Sequence, residues 1–140
     1  MRFWDSSAVV VLLMEQEASA RAVAWMAADD AIVLWTLTPV EVVSALRRLV
    51  RDRALAEEIA HEAEARMDEL IRTSQMVIDV EAVKPLATRL LRLHPLRAFD
   101  ALQLAAALHW AEGHPQGRTF HTLDNRLGLA ARREGFVVPA

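Results

Sequence analysis

The segment Arg97-Ala-Phe-Asp-Ala-Leu-Gln-Leu-Ala-Ala-Ala-Leu-His-Trp110 leaves this chain few ways to fold. It follows Pro95, is rich in Ala and Leu, and has almost no polar face, so it reads as one helix. A helix apolar nearly all round belongs inside a domain, covered by other layers. Asp100 nevertheless stands in its first turn, among Phe99, Ala101, Leu104 and Ala107. A lone buried carboxylate is costly unless it is paired, hydrogen-bonded or metal-bound. Its attraction to the positive end of the helix dipole offsets only about 0.3–1 kcal/mol. Whether Asp100 marks a site therefore depends on whether other acids reach the same place.

The rest of the chain supplies strands and helices in alternation. Met1–Trp4 reads as a strand, and the apolar run Ala8–Met14 as a helix. Residues 18–28 form a second helix, and Ala31–Leu37 a second strand of β-branched and aromatic character. Thr38-Pro-Val-Glu41 has the form of a capping box, opening a helix to about Asp52. Residues 54–73 are amphipathic, with Leu55, Ile59, Ala63, Met67, Leu70 and Ile71 on one stripe. Arg47, Arg48, Arg51 and Arg53 on this helical hairpin are candidates for phosphate or partner contacts. Gln75–Val80 is a third strand and Glu81–Leu93 a helix. Arg118–Leu123 is a fourth strand, Asp124 precedes a helix closed by Gly135, and Phe136–Val138 is a last short strand. This order predicts an α/β fold: a central, mostly parallel sheet of four to five strands with helices on both faces.

With 140 residues and only 4 Gly and 5 Pro, the sequence predicts a single domain over residues 1–140, without linker or repeat. No apolar run approaches the roughly 20 residues of a membrane span. The start lacks a signal peptide's form, because Asp5 interrupts it and Glu15 and Glu17 follow. A cytoplasmic protein with no membrane contact is the expectation. The absence of Cys excludes disulfides, thiolate zinc sites and Cys nucleophiles. A net charge of −3 argues against a general nucleic-acid coat protein but leaves room for a local basic rim. The basic residues are 15 Arg and the single Lys84.

Asp5, Glu41 and Asp124 each follow a predicted strand, and Asp100 opens the buried helix. Taken singly, each has a bland explanation: Asp5 and Asp124 as N-caps, Glu41 as the third residue of the capping box. Taken together they fall at the carboxyl ends of the strands, where open α/β sheets bind ligands. Four converging carboxylates repel one another by more than helix dipoles offset. A divalent cation relieves that repulsion, and hard oxygen ligands select Mg²⁺, with Mn²⁺ as a substitute. An all-carboxylate site of this kind suits phosphodiester hydrolysis. The five His lack metal-ligand spacing and are expected in ordinary surface or core roles. No phosphate-cradling loop and no nucleophile elbow is present.

The set Asp5-Ser-Ser-Ala, Thr38-Pro-Val-Glu41, Arg97-Ala-Phe-Asp-Ala-Leu-Gln-Leu and Thr122-Leu-Asp-Asn-Arg-Leu resembles the PIN domain, and more narrowly the VapC-type toxins of bacterial type II toxin–antitoxin pairs. The resemblance spans nearly the whole chain. It implies a three-layer α/β/α fold, a metal-dependent endoribonuclease acting on RNA, a cognate antitoxin that blocks the cleft, and a homodimer. It also implies Asp5 and Asp100 as principal Mg²⁺ ligands, Asp124 as a direct or water-mediated ligand, and Glu41 positioning the attacking water or a second ion. Ser7 and Thr122 match small hydroxyl positions that orient the acids or contact phosphate, and Arg97 matches a basic position ahead of the third acid. The opening Arg-Phe-Trp departs from the family's aliphatic strand. Trp4 is expected on the sheet face opposite Asp5, which makes this a packing difference.

Two other readings compete. A catalytically silent PIN-fold module would act by partner association, with Trp25 and Met26 exposed on helix 18–28. A phospho-acceptor domain would need paired acids near the first strand and a late lysine, whereas Lys84 lies in a predicted helix.

Overall fold

The computed structural model describes residues 1–14 and 19–140. Its elements run β1 (Arg2–Trp4), α1 (Ser6–Leu13), α2 (Ser19–Ala28), β2 (Ile32–Trp35), α3 (Thr38–Arg51), α4 (Glu57–Thr73), β3 (Gln75–Val77), α5 (Val80–Leu93), α6 (Ala98–Trp110), β4 (Phe120–His121) and α7 (Asn125–Glu134). The four strands form one parallel sheet in the order β3-β2-β1-β4. The expected fifth strand shrinks to a single parallel bridge between Thr119 and Val137. Residue 18, the expected start of the second helix, lies outside the described residues.

Side chains alternate across the sheet, as the pleat requires. Phe3, Val33, Trp35, Val77 and Phe120 face a layer built from α5, α6 and α7. Trp4, Ile32 and Leu34 face the other layer, built from α1 to α4. Every residue of β2 is buried, the mark of a parallel strand covered on both faces. The architecture is therefore three-layer α/β/α, and the bulk of Trp4 is taken up in the layer of α1 to α4.

Helix α6 buries Ala101, Gln103, Leu104, Ala105, Ala106, Ala107 and Leu108. Helices α6 and α5 pack closely together in this layer. Phe99 departs from the expectation: it is 63% exposed, at the open end of the helix. Trp25 departs in the opposite sense. It is only 6% exposed, edge-on to Trp4 and stacked on His121 at 4.2 Å between ring centroids. The apolar character of α2 thus belongs to the core, although Val23 remains exposed.

The capping box does not form. Leu37 occupies the N-cap of α3 without a side-chain bond, Thr38 is already helical, and Glu41 turns toward α6. Arg47, one of the arginines expected to be free for phosphate, instead pairs with Glu57 and Glu64 across the α3–α4 hairpin. At the far end of α7, Gly135 takes a left-handed C-cap with φ +113°, and a Cβ there would stand 3.1 Å from Pro115 and Gln116.

Among the described residues, no helix is long and apolar enough to cross a membrane.

Candidate active site

Parallel strands place β1, β2 and β4 with their carboxyl ends on one edge, and the chain leaves each one through a turn into a helix. Asp5 is the residue between β1 and α1. It is 2% exposed and accepts the Ala8 N–H at Oδ1 (2.9 Å), so it is indeed an N-cap. It is also much more than a cap. The Ser7 hydroxyl donates to the same oxygen (2.7 Å), and the Thr122 hydroxyl, arriving from beyond β4, donates to Oδ2. The two hydroxyls are themselves fixed: the Leu123 N–H donates to Ser7 Oγ and the Asp124 N–H to Thr122 Oγ1, each at 3.0 Å. Burial pushes the Asp5 carboxyl up to about 6 despite these donors, and the charge of Asp100 adds to the rise.

Glu41, in the first turn of α3, is held by Gln103 of α6, whose Nε2 donates to Oε2 at 2.6 Å and to Thr38 Oγ1 at 3.0 Å. The other oxygen, Oε1, is buried with no hydrogen bond of ordinary geometry, although Ser6 lies near enough for its hydroxyl to ease the charge. Burial raises the Glu41 carboxyl above its usual range, and Asp100 raises it further. Asp100, half-buried in the first turn of α6, is likewise raised, first by burial and then by Asp124, while Arg97 opposes the rise. Asp124 is exposed and caps α7 by accepting the Leu127 N–H at 2.8 Å.

All four acids therefore meet at one edge, with Asp100 electrostatically linked to each of the other three. They meet as neighbours in pairs. Among the described residues, no three acidic or histidine side chains are drawn together tightly enough to hold a metal ion as they stand. Ser7 and Thr122 flank Asp5 as hydroxyl donors, and Arg97 is exposed beside Asp100. Two open clefts share Arg97 and Asp100. One, of about 450 Å³, also takes in Ser7, Glu41, Arg48 and Phe99. The other, also of about 450 Å³, takes in Asp124, Asn125 and Arg126.

Sequence reasoning did not single out Gln103, Ser6, Val40 or Phe99 as parts of this edge. The signal for Gln103 was available: it is the one amide in an otherwise apolar helix, a turn beyond Asp100, and a buried amide needs partners. His121, 0% exposed and held near 4 by burial, has neither ring nitrogen hydrogen-bonded and stays neutral in the core.

A parallel α/β/α sheet with four acids at its carboxyl edge has a known family match. The model described as the PIN domain covers residues 2–131, and the chain belongs to that family. It is a VapC-type member: it is 34% identical over 139 residues to Ribonuclease VapC45 of Mycobacterium tuberculosis (strain CDC 1551 / Oshkosh), covering 99% of this chain and 94% of that one. Solved structures share the fold. FitAcB from Neisseria gonorrhoeae superposes with a TM-score of 0.67 at 17% identity, covering 100% of this chain and 97% of its own. A toxin–antitoxin complex from Klebsiella pneumoniae gives 0.64 at 16%, covering 90% and 88%.

Proposed function

We propose that this chain is a Mg²⁺-dependent endoribonuclease toxin, held inactive by a cognate antitoxin seated over the acid edge. The observation that carries the reading is Asp5: a nearly fully buried carboxylate fixed by three donors and set beside Asp100. Capping α1 accounts for one of these donors, but not for a carboxylate buried against its own charge beside a second acid, and that combination points to chemistry.

The residues fit a hard divalent ion in kind. Every candidate donor is a carboxylate or hydroxyl oxygen, three of the four carboxyl groups sit above their usual range, and Glu41 keeps a buried oxygen without a hydrogen bond. Asp5, Asp100 and Asp124 would hold the ion. Because Asp100 is half-buried and Asp124 exposed, gathering the set asks only for side-chain movement on that side. When bound, the ion supplies positive charge against the carboxylates and against the phosphate in the transition state. Ser7 and Thr122 fix the direction of the Asp5 oxygens. Gln103 holds Glu41 at the wall of the cleft, where its carboxylate would position the attacking water or a second ion. Arg97 and Arg48, both in the cleft, meet the phosphate strand.

The ribonuclease name of the 34%-identical relative supports the substrate, and the Klebsiella complex supports an antitoxin partner. The competing reading, a silent binding module, loses its motive because Trp25 is core. The test is to incubate the purified protein with total RNA, with and without Mg²⁺, and map new ends. Metal-dependent cuts that vanish in Asp5→Asn and Asp100→Asn are expected. Equal cleavage by the Asp100→Asn protein would overturn the assignment, and calorimetric Mg²⁺ or Mn²⁺ binding that survives both substitutions would remove the metal from these acids.

A further inference from the structure

Among the described residues Phe99 is the only exposed Phe, at 63%, and it adjoins Asp100 in sequence and in the cleft. Across the same cleft α3 offers Val40, 66% exposed and adjacent to Glu41. Folding does not explain either, since both large apolar side chains remain in water beside four acids. The opposite cleft, beyond the shared Arg97 and Asp100, carries Asn125 and Arg126 and no aromatic residue. Both clefts carry arginines, and only the first has exposed aromatic and aliphatic surface beside them.

We infer that Phe99, with Val40, forms a nucleobase subsite: a base adjoining the scissile phosphate leaves the RNA stack and lies on the Phe99 ring. This rests on the ribonuclease reading above and adds to it that the strand must be unpaired at that base. An aromatic face accepts any base, and such stacking is sequence-tolerant. Arg48, in the same cleft, meets the phosphate on the stacked side, and Arg126 meets the strand on the other. The cations commit the cleft to an anionic strand, since a purely apolar protein segment would leave them unmatched. Val40 adds apolar surface to the same cleft.

The test uses Asp100→Asn protein, so that RNA stays intact, with an unstructured decamer carrying the fluorescent base 2-aminopurine at each position in turn. Binding is followed by anisotropy of an end label in Mg²⁺. The expected result is a change in 2-aminopurine fluorescence confined to one position, as that base exchanges its stacked neighbours for the Phe99 ring, lost in the Phe99→Leu double variant and kept in Phe99→Trp. Decamer affinity should fall roughly five- to hundred-fold in Phe99→Leu. Anisotropy that rises without a position-specific fluorescence change, or a change untouched by Phe99→Leu, overturns the subsite and leaves the ribonuclease reading standing. No anisotropy change at all also overturns the subsite, while the RNA-cleavage assay decides the ribonuclease reading separately. Leu at position 99 keeps apolar bulk, and its melting temperature verifies folding.

Discussion

Gln103 of α6 donates from Nε2 to Glu41 of α3 at 2.6 Å, so a helix buried in one layer sets the direction of a carboxylate presented by the other. The same amide nitrogen reaches Thr38, and the amide has almost no contact with water. Replacing Gln103 by the similarly sized Met leaves Thr38 and Glu41 without that donor, at a cost of roughly 1–3 kcal/mol. Thermal unfolding should show a midpoint lower by several degrees, and Glu41, freed from its tether, should give slower RNA cleavage. An unchanged midpoint would show the bond to be dispensable.

Burial of the acids, with their mutual repulsion added to it, predicts a gain from removing one. Asp5 titrates at about 6 in the folded protein against an ordinary 3.8, and Asp100 and Glu41 are also raised. A carboxyl with a raised folded-state value contributes stability that is complete below about pH 4 and lost as pH rises through about 6. In EDTA at pH 7, Asp100→Asn should therefore melt above the wild type, by roughly 1 kcal/mol at most once solvent screening is allowed for. The gap should close toward pH 4. A lower melting point at pH 7 would contradict this.

His121 gives the opposite slope. Burial holds it near 4 against an ordinary 6.5, so its contribution is complete above about pH 6.5 and lost as pH falls through 4. His121→Phe keeps a ring between Trp4 and Trp25 and has no proton to take up. It should remove roughly 2–3 kcal/mol of acid-side destabilisation, read as a flatter melting-temperature profile between pH 6.5 and 4.

The hydroxyls on Asp5 make a prediction about rate. Thr122 and Ser7 lower the Asp5 carboxyl against the pull of burial. Thr122→Val should move the acid limb of the cleavage-rate profile to higher pH, with an about ten-fold loss near neutrality that recovers in alkaline buffer. A loss independent of pH would assign Thr122 a contact with the RNA instead.

Much of this was legible in the chain because periodicity and junction chemistry are local. The order of elements, the parallel sheet and the placement of Asp5, Glu41, Asp100 and Asp124 at one edge follow from where apolar runs stop. Local pattern failed where a neighbouring layer decides. Ile59 fits the stripe of α4 yet is exposed, because Ala60 takes the buried place under α1 and α3. Thr38-Pro-Val-Glu41 satisfies every rule for a capping box, but Gln103, 62 residues beyond Glu41, offers its carboxylate a better donor. Trp25 looked like surface because nothing in α2 announces that Trp4 and His121 stand opposite.

In the sheet, β1 lies between β2 and β4, and Asp5 is clasped by a hydroxyl 117 residues away. A ribosome therefore delivers the carboxylate long before it delivers Thr122, and contacts so distant along the polypeptide form late. Until that hydroxyl emerges, Asp5 of the nascent chain has only its local donors, Ser7 and Ala8, and one of its two oxygens waits for the far end of the polypeptide.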